Sequence, residues 1–374
     1  MKRILILLLL TVNVVFAQEL ALVRKDGRFG YIGKNGAFVI QPKFKNSKNF
    51  SEGLAAAEDQ GKWGFIDKTG NWAIPATFDN VKYFGSGLCV VAKDKKWFYI
   101  NKKGETVQGP VTDKVFDFND DIAFVKVGDK VGFMGPTMKM IVEPKYQTIK
   151  EFQNGFARVK NNDRWGIIDK TGKVVVEIMY DDIGDYSKGV AWAKNGETLG
   201  LVHNGKFTAV DGVQKIWDFD GNDLTYAKKG DRIGFIDASG KWVIEPKFDK
   251  ARAFSKGLAP VAIGKKWGYI NTKGEVVIEP AYENAEVFSA DGLAPVKDKD
   301  WGFVNTSGKL VVPTQYGVPN GGGLGGLVSA VKEDETGFVN GLARVKNNKQ
   351  WGFIKPDGSV LGNAWYENAE QFHN

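Results

Sequence analysis

An aromatic or apolar residue followed by glycine returns along this chain at a fixed interval, and that interval restricts what the chain can fold into. The anchors are Phe29-Gly30, Trp63-Gly64, Trp97-Phe98, Val131-Gly132, Trp165-Gly166, Leu199-Gly200, Ile233-Gly234, Trp267-Gly268 and Trp301-Gly302, each 34 residues from the last. A period between about 20 and 50 residues marks a repeat architecture. A tenth anchor, Trp351-Gly352, follows after 50 residues and is displaced by 16. Helical-hairpin repeats share the 34-residue period, but here Pro, Gly and β-branched residues stand where such a repeat needs two helices, so the helical alternative fails.

The clearest unit contains Leu258 to Ile263, Trp267 to Asn271 and Glu275 to Glu279, three short runs that read as strands. Gly264-Lys265-Lys266 joins the first two, with Asn161-Asn162-Asp163 and Lys25-Asp26-Gly27 as counterparts that favour tight turns. Thr272-Lys273-Gly274 joins the second to the third, and its Gly supplies the positive φ of a hairpin. Pro280 has no N–H for a ladder and is expected to end the third strand. The remainder, Tyr282 to Gly292, reads as an irregular return that drops Tyr282 and Phe288 into the core between units. Alternation puts Trp267 and Tyr269 on one face and Ile270 on the other, with Gly268 where a neighbouring backbone or ring comes close. Trp63, Trp165, Trp267, Trp301 and Trp351 are thereby packing wedges.

Lys62 to Gly70 carries the run Lys-Trp-Gly-Phe-Ile-Asp-Lys-Thr-Gly unbroken, and Arg164 to Gly172, Lys266 to Gly274 and Asp300 to Gly308 carry it nearly so. This run resembles the WG (KWG) β-repeat family, common in exported bacterial proteins, and the resemblance covers nearly the whole chain after its leader. It implies tandem β-rich units, usually without an assigned biochemical activity. The chain departs from the pattern at Trp97-Phe98, at Val131-Gly132 and most around Leu199-Gly200. The expected fold is all-β: about ten β-meander repeats in an open, solenoid-like stack, with a closed toroid or propeller as the alternative, since propeller blades have four strands and 34 residues leave room for about three.

Four segments follow: 1–17 as a signal peptide, 18–318 as nine repeats, 319–340 as a Gly-rich insertion and 341–374 as the tenth repeat. Met1-Lys2-Arg3, an uncharged apolar run to Phe16 and small Ala17 form the three parts of a secretory leader, so the mature chain is expected to start at Gln18. The apolar run is short for a bilayer span, and no membrane span is expected after leader removal. From Tyr316 to Phe338 the chain advances 22 positions where other units advance six, through a stretch that includes Asn320-Gly321-Gly322-Gly323-Leu324-Gly325-Gly326. That composition predicts a loop. The Gly-Lys-Ser/Thr and following helix of a phosphate-binding loop are absent from the sequence.

The sole cysteine, Cys89, rules out an intramolecular disulfide, so packing alone must hold the chain; 43% hydrophobic and 13% aromatic residues supply the core. Net charge is +7, and the basic residues are scattered over turns, which argues against a nucleic-acid surface. His203 and His373 are the only histidines, too few for a Ser-His-Asp or Cys-His arrangement, and with one Cys they give no metal-ligand spacing. Asp67, Asp169 and Asp237 interchange with Asn101, Asn271 and Asn305 before the hairpin Gly. Asn cannot transfer a proton as a carboxyl does, so the position is structural, an Asx turn. No catalytic group, cofactor or metal is expected.

Trp72 and Trp242, at the start of the third strand, and Trp192 and Trp217, peculiar to single units, are the candidate ligand-binding residues, because rings on a pleated surface can stack on sugars. The functional expectation is a non-enzymatic, exported binding or scaffold protein of the bacterial envelope, in the periplasm, at the cell surface or outside the cell. Its partner is expected to be an envelope protein; the alternative is a glycan, bound or hydrolysed through Trp-lined ground and a carboxylate pair.

Overall fold

A computed structural model describes residues 18–318 and 337–374. The expected signal peptide and the Gly-rich run therefore lie outside the described residues. These residues form ten small antiparallel sheets, eight of four strands and two of three, arranged as the blades of a ten-bladed β-propeller. A short 3-10 turn, Leu361–Asn363, is the one helical element among the described residues.

Blade 8 shows the plan, with strands a to d at Lys250–Ala251, Leu258–Ile263, Lys266–Asn271 and Val276–Tyr282. Strand a was not foreseen. It is cut from the return segment of the preceding repeat and is two residues long, too short for the alternation by which a strand is recognised. Tight b–c turns form as expected: Asn162 and Asp163, with φ of 45° and 60°, join the paired residues Asn161 and Arg164. At the c–d turn Asp67 Oδ1 accepts hydrogen bonds from the N–H groups of Thr69 (2.9 Å) and Asn71 (3.1 Å), and Asn271 Oδ1 does the same for Lys273 and Glu275.

Pro280 does not end its strand. Strand d runs on to Tyr282, with a register shift between the pairs Trp267↔Tyr282 and Tyr269↔Ile278. Pro280 sits in this bulge on an edge strand, where its missing N–H breaks no ladder bond. The bulge presses the d backbone against the Gly of strand c: a Cβ at Gly64 would lie 2.5 Å from the Ile74 oxygen and 2.6 Å from the Ala76 nitrogen. The Trp-Gly pair and the Pro are thus two sides of one contact.

The core lies between blades. Ten hydrophobic clusters occupy the ten blade interfaces, and one of them joins Ala21, Val23 and Ile32 of blade 1 to Leu342, Phe353 and Leu361 of blade 10. Trp267 and Tyr269 face blade 9 while Ile270 faces blade 7, as alternation requires. An aromatic in strand a packs edge-on against strand c of the blade before it, as Phe65–Phe84 at 4.8 Å and Phe303–Phe338 at 4.9 Å.

The ring is closed, so the open stack gives way to its alternative. Asn368–His373 pairs antiparallel with Leu20–Lys25 and supplies the strand a that blade 1 lacks. Phe353–Phe372, at 4.9 Å, makes across this seam the contact other interfaces make. Closure covers an edge of strand b that an open array would leave exposed.

Candidate ligand clefts on the ring

The repeated tryptophans are enclosed by their own blades. Trp63, Trp165, Trp267 and Trp301 each pair across the sheet with an aromatic of strand d, Phe78, Tyr180, Tyr282 and Tyr316. Fifteen residues upstream, a cation after or within strand a lies over the indole: Lys48 over Trp63 at 5.5 Å, Lys150 over Trp165 at 5.9 Å and Arg252 over Trp267 at 5.1 Å. These rings pack against interface clusters, Trp267 buried and Trp63, Trp165 and Trp301 half-buried.

The four candidate tryptophans do not form one site. Trp72, 40% exposed, stands edge-on to Phe44 of blade 1 at 6.2 Å and lines a cleft of about 550 Å³ with Arg28, Lys43, Glu58 and Asp59. Trp192 and Trp242 are half-buried against the cluster between blades 6 and 7. Trp217, also half-buried, stacks on Tyr226 at 4.5 Å with an interplanar angle of 21°, and Lys215 Nζ lies 4.3 Å from its ring.

Beside Trp217 a group of charges joins blades 5 to 7. Arg158 Nε lies 2.8 Å from Asp185 Oδ1, and the Asp185 N–H donates to Asp218 Oδ1 at 2.9 Å. Burial, and then the Asp185 carboxylate, push the Asp218 carboxyl up to about 6. One carboxyl near its titration point beside a second, Arg-paired one can exchange a proton near neutral pH. The sequence did not single out Asp218, because its burial comes from a neighbouring blade. Among the described residues no group of three or more His, Cys, Asp or Glu converges to hold a metal.

A second cleft was missed altogether. Trp97 is 42% exposed and, with Lys82, Val90, Lys96, Thr112, Asp113 and Lys114, lines a cavity of about 580 Å³. Strand d of blade 3 is only Thr106–Val107 and pairs with Tyr99 and Ile100 alone. The signal was present: Phe98 replaces the Gly against which a d-strand bulge must press, so a full strand d has no place to lie.

A family model described as WG containing repeat matches residues 29–63, 63–97, 97–130, 132–165, 165–198, 233–267, 267–300 and 301–317. The unmatched stretch after 198 is where the pattern around Leu199-Gly200 fades. No curated protein matches the sequence. Solved structures similar to the chain include a eukaryotic initiation factor (12% identity, covering 78% of this chain and 95% of that one, TM-score 0.43). Others are Hsv2 of Kluyveromyces lactis (10%, 67% and 88%, TM-score 0.24) and PorZ, a surface component of the type-IX secretion system of Porphyromonas gingivalis (9%, 90% and 55%, TM-score 0.25). Likenesses this distant carry nothing about activity.

Proposed function

The chain belongs to the WG-containing repeat family, and from that premise we propose that it is a non-catalytic, exported binding protein of the bacterial envelope that presents clefts of its ring to protein partners. The observation that carries this reading is the contrast between two sets of tryptophans. Those of the repeat are covered by a strand-d aromatic, whereas Trp72 and Trp97 stand 40% and 42% exposed in clefts edged by cations. An exposed indole between charged side chains is the kind of anchor on which interface energy concentrates. The test is retention of envelope proteins on the immobilised mature chain, repeated with Trp72→Ala and Trp97→Ala. Retention of a defined set of partners that either change weakens supports the reading; a set unchanged in both variants counts against it.

Asp218 favours a second reading, in which the protein acts on a glycan. Its raised carboxyl beside Asp185, with Trp217 next in sequence, has the composition of an acid–base pair on Trp-lined ground. Release of reducing ends from cell-wall polymers, abolished by Asp218→Asn, would establish it in place of the first.

A further inference from the structure

Blade 3 lacks a piece that other blades have, and the gap has a definite shape. Elsewhere strand d lays an aromatic opposite the anchor residue of strand c, as in Trp63↔Phe78 and Trp165↔Tyr180. One repeat on from Phe78 the chain has Thr112, whose hydroxyl is engaged by the backbone of Lys114 and Lys126 in blade 4. The chain has already left the sheet there, and Val111 is 88% exposed. Lys96, Trp97 and Phe98 therefore have no partner strand on their outer side. Exposed Lys96 stands on this edge, exposed Lys114 and, from strand a at the inner side of the sheet, exposed Lys82 line the same cleft, and Asp113 receives the Gly128 N–H at 2.7 Å.

We propose that this gap receives an extended acidic peptide segment of a partner protein. The segment adds as a short strand along Lys96 to Phe98, lays one aromatic side chain on Trp97 where the missing strand-d residue would lie, and sets its carboxylates against Lys82, Lys96 and Lys114. Three features together favour a peptide over an acidic glycan. A sugar could use the indole and the lysines, but only a peptide can also pair with the open strand edge. The cavity, about 580 Å³, is within the range of sites that enclose a small ligand. This inference rests on the binding reading above and names the chemistry of one of its sites.

The test is fluorescence anisotropy of the mature protein with a labelled peptide Thr-Glu-Tyr-Asp-Val-Glu. Controls are the same peptide with Tyr replaced by Ala, with its acids replaced by Lys, or N-methylated at alternate residues, and an oligogalacturonate of similar charge. Binding should weaken at least tenfold with each altered peptide, with Trp97→Ala and with Lys82→Glu/Lys114→Glu, two exposed positions, each variant first checked for an unchanged circular dichroism spectrum, and it should weaken as salt rises. Affinity unmoved by Trp97→Ala or by N-methylation, no binding of the peptide, or equal binding of the oligogalacturonate overturns the proposal. If the peptide fails while envelope partners are still retained in a Trp72- or Trp97-dependent way, only this inference falls.

Discussion

Gly64 shows how much one residue type decides. A methyl group there meets the Ile74 oxygen at 2.5 Å, so Gly64→Ala must displace strand d and is expected to cost about 1–3 kcal/mol in urea unfolding. Its close approach was legible in the sequence, since a Gly fixed beside an aromatic in a strand implies a near backbone. Phe98 in its place carried the matching signal, a strand d with nowhere to lie, whereas the lining of the resulting cleft was illegible because it depends on where Thr112 falls. Asp218 was illegible for a similar reason. Its carboxyl, about 6 in the fold against 3.8 ordinarily, favours the protonated form, so the folded state holds the extra proton. Its contribution is intact below about pH 4 and is lost as pH rises through about 6. Stability should fall over that window by on the order of 2 kcal/mol after allowance for partial exposure, and Asp218→Asn should remove that slope from denaturation midpoints measured between pH 4 and 7.

Among elements, the c–d hairpin was the most legible. The interchange of Asp with Asn says that the side chain accepts hydrogen bonds and does not exchange protons, and Asp169 Oδ1 indeed accepts from Thr171 (2.9 Å) and Lys173 (3.0 Å). Asp169→Asn should leave thermal stability nearly unchanged, whereas Asp169→Ala should cost about 1 kcal/mol in the same melts. Strand a was illegible because in blades such as the eighth it is two residues long and gives no alternation, and Pro280 misled because its rule holds for central strands while strand d is an edge. Counting three strands per repeat, where the fold makes four, is what set the open stack ahead of the ring.

Closure of the whole molecule was written in the sequence after all. Tyr282-Glu283-Asn284-Ala285-Glu286, which leads out of one blade and into the next, returns as Tyr366-Glu367-Asn368-Ala369-Glu370 after the tenth anchor, and there it leads into the first blade. That return becomes informative only once strand a is known to belong to the following blade. The ring also fixes what the clefts are: with every interface filled, the exposed tryptophans are local exceptions on a complete scaffold and not signs of loose packing. Closure is tested most directly by Arg24→Cys with Asn368→Cys, positions paired across the seam and so within disulfide reach. The native Cys89 is buried, its thiol pushed up to about 12 by that burial, and stays out of the reaction. A closed ring predicts a rapid intramolecular disulfide under mild oxidation and a higher unfolding midpoint, since the bridge closes nearly the whole chain, worth on the order of 5 kcal/mol in loop entropy. Free thiols or only intermolecular dimers would contradict it.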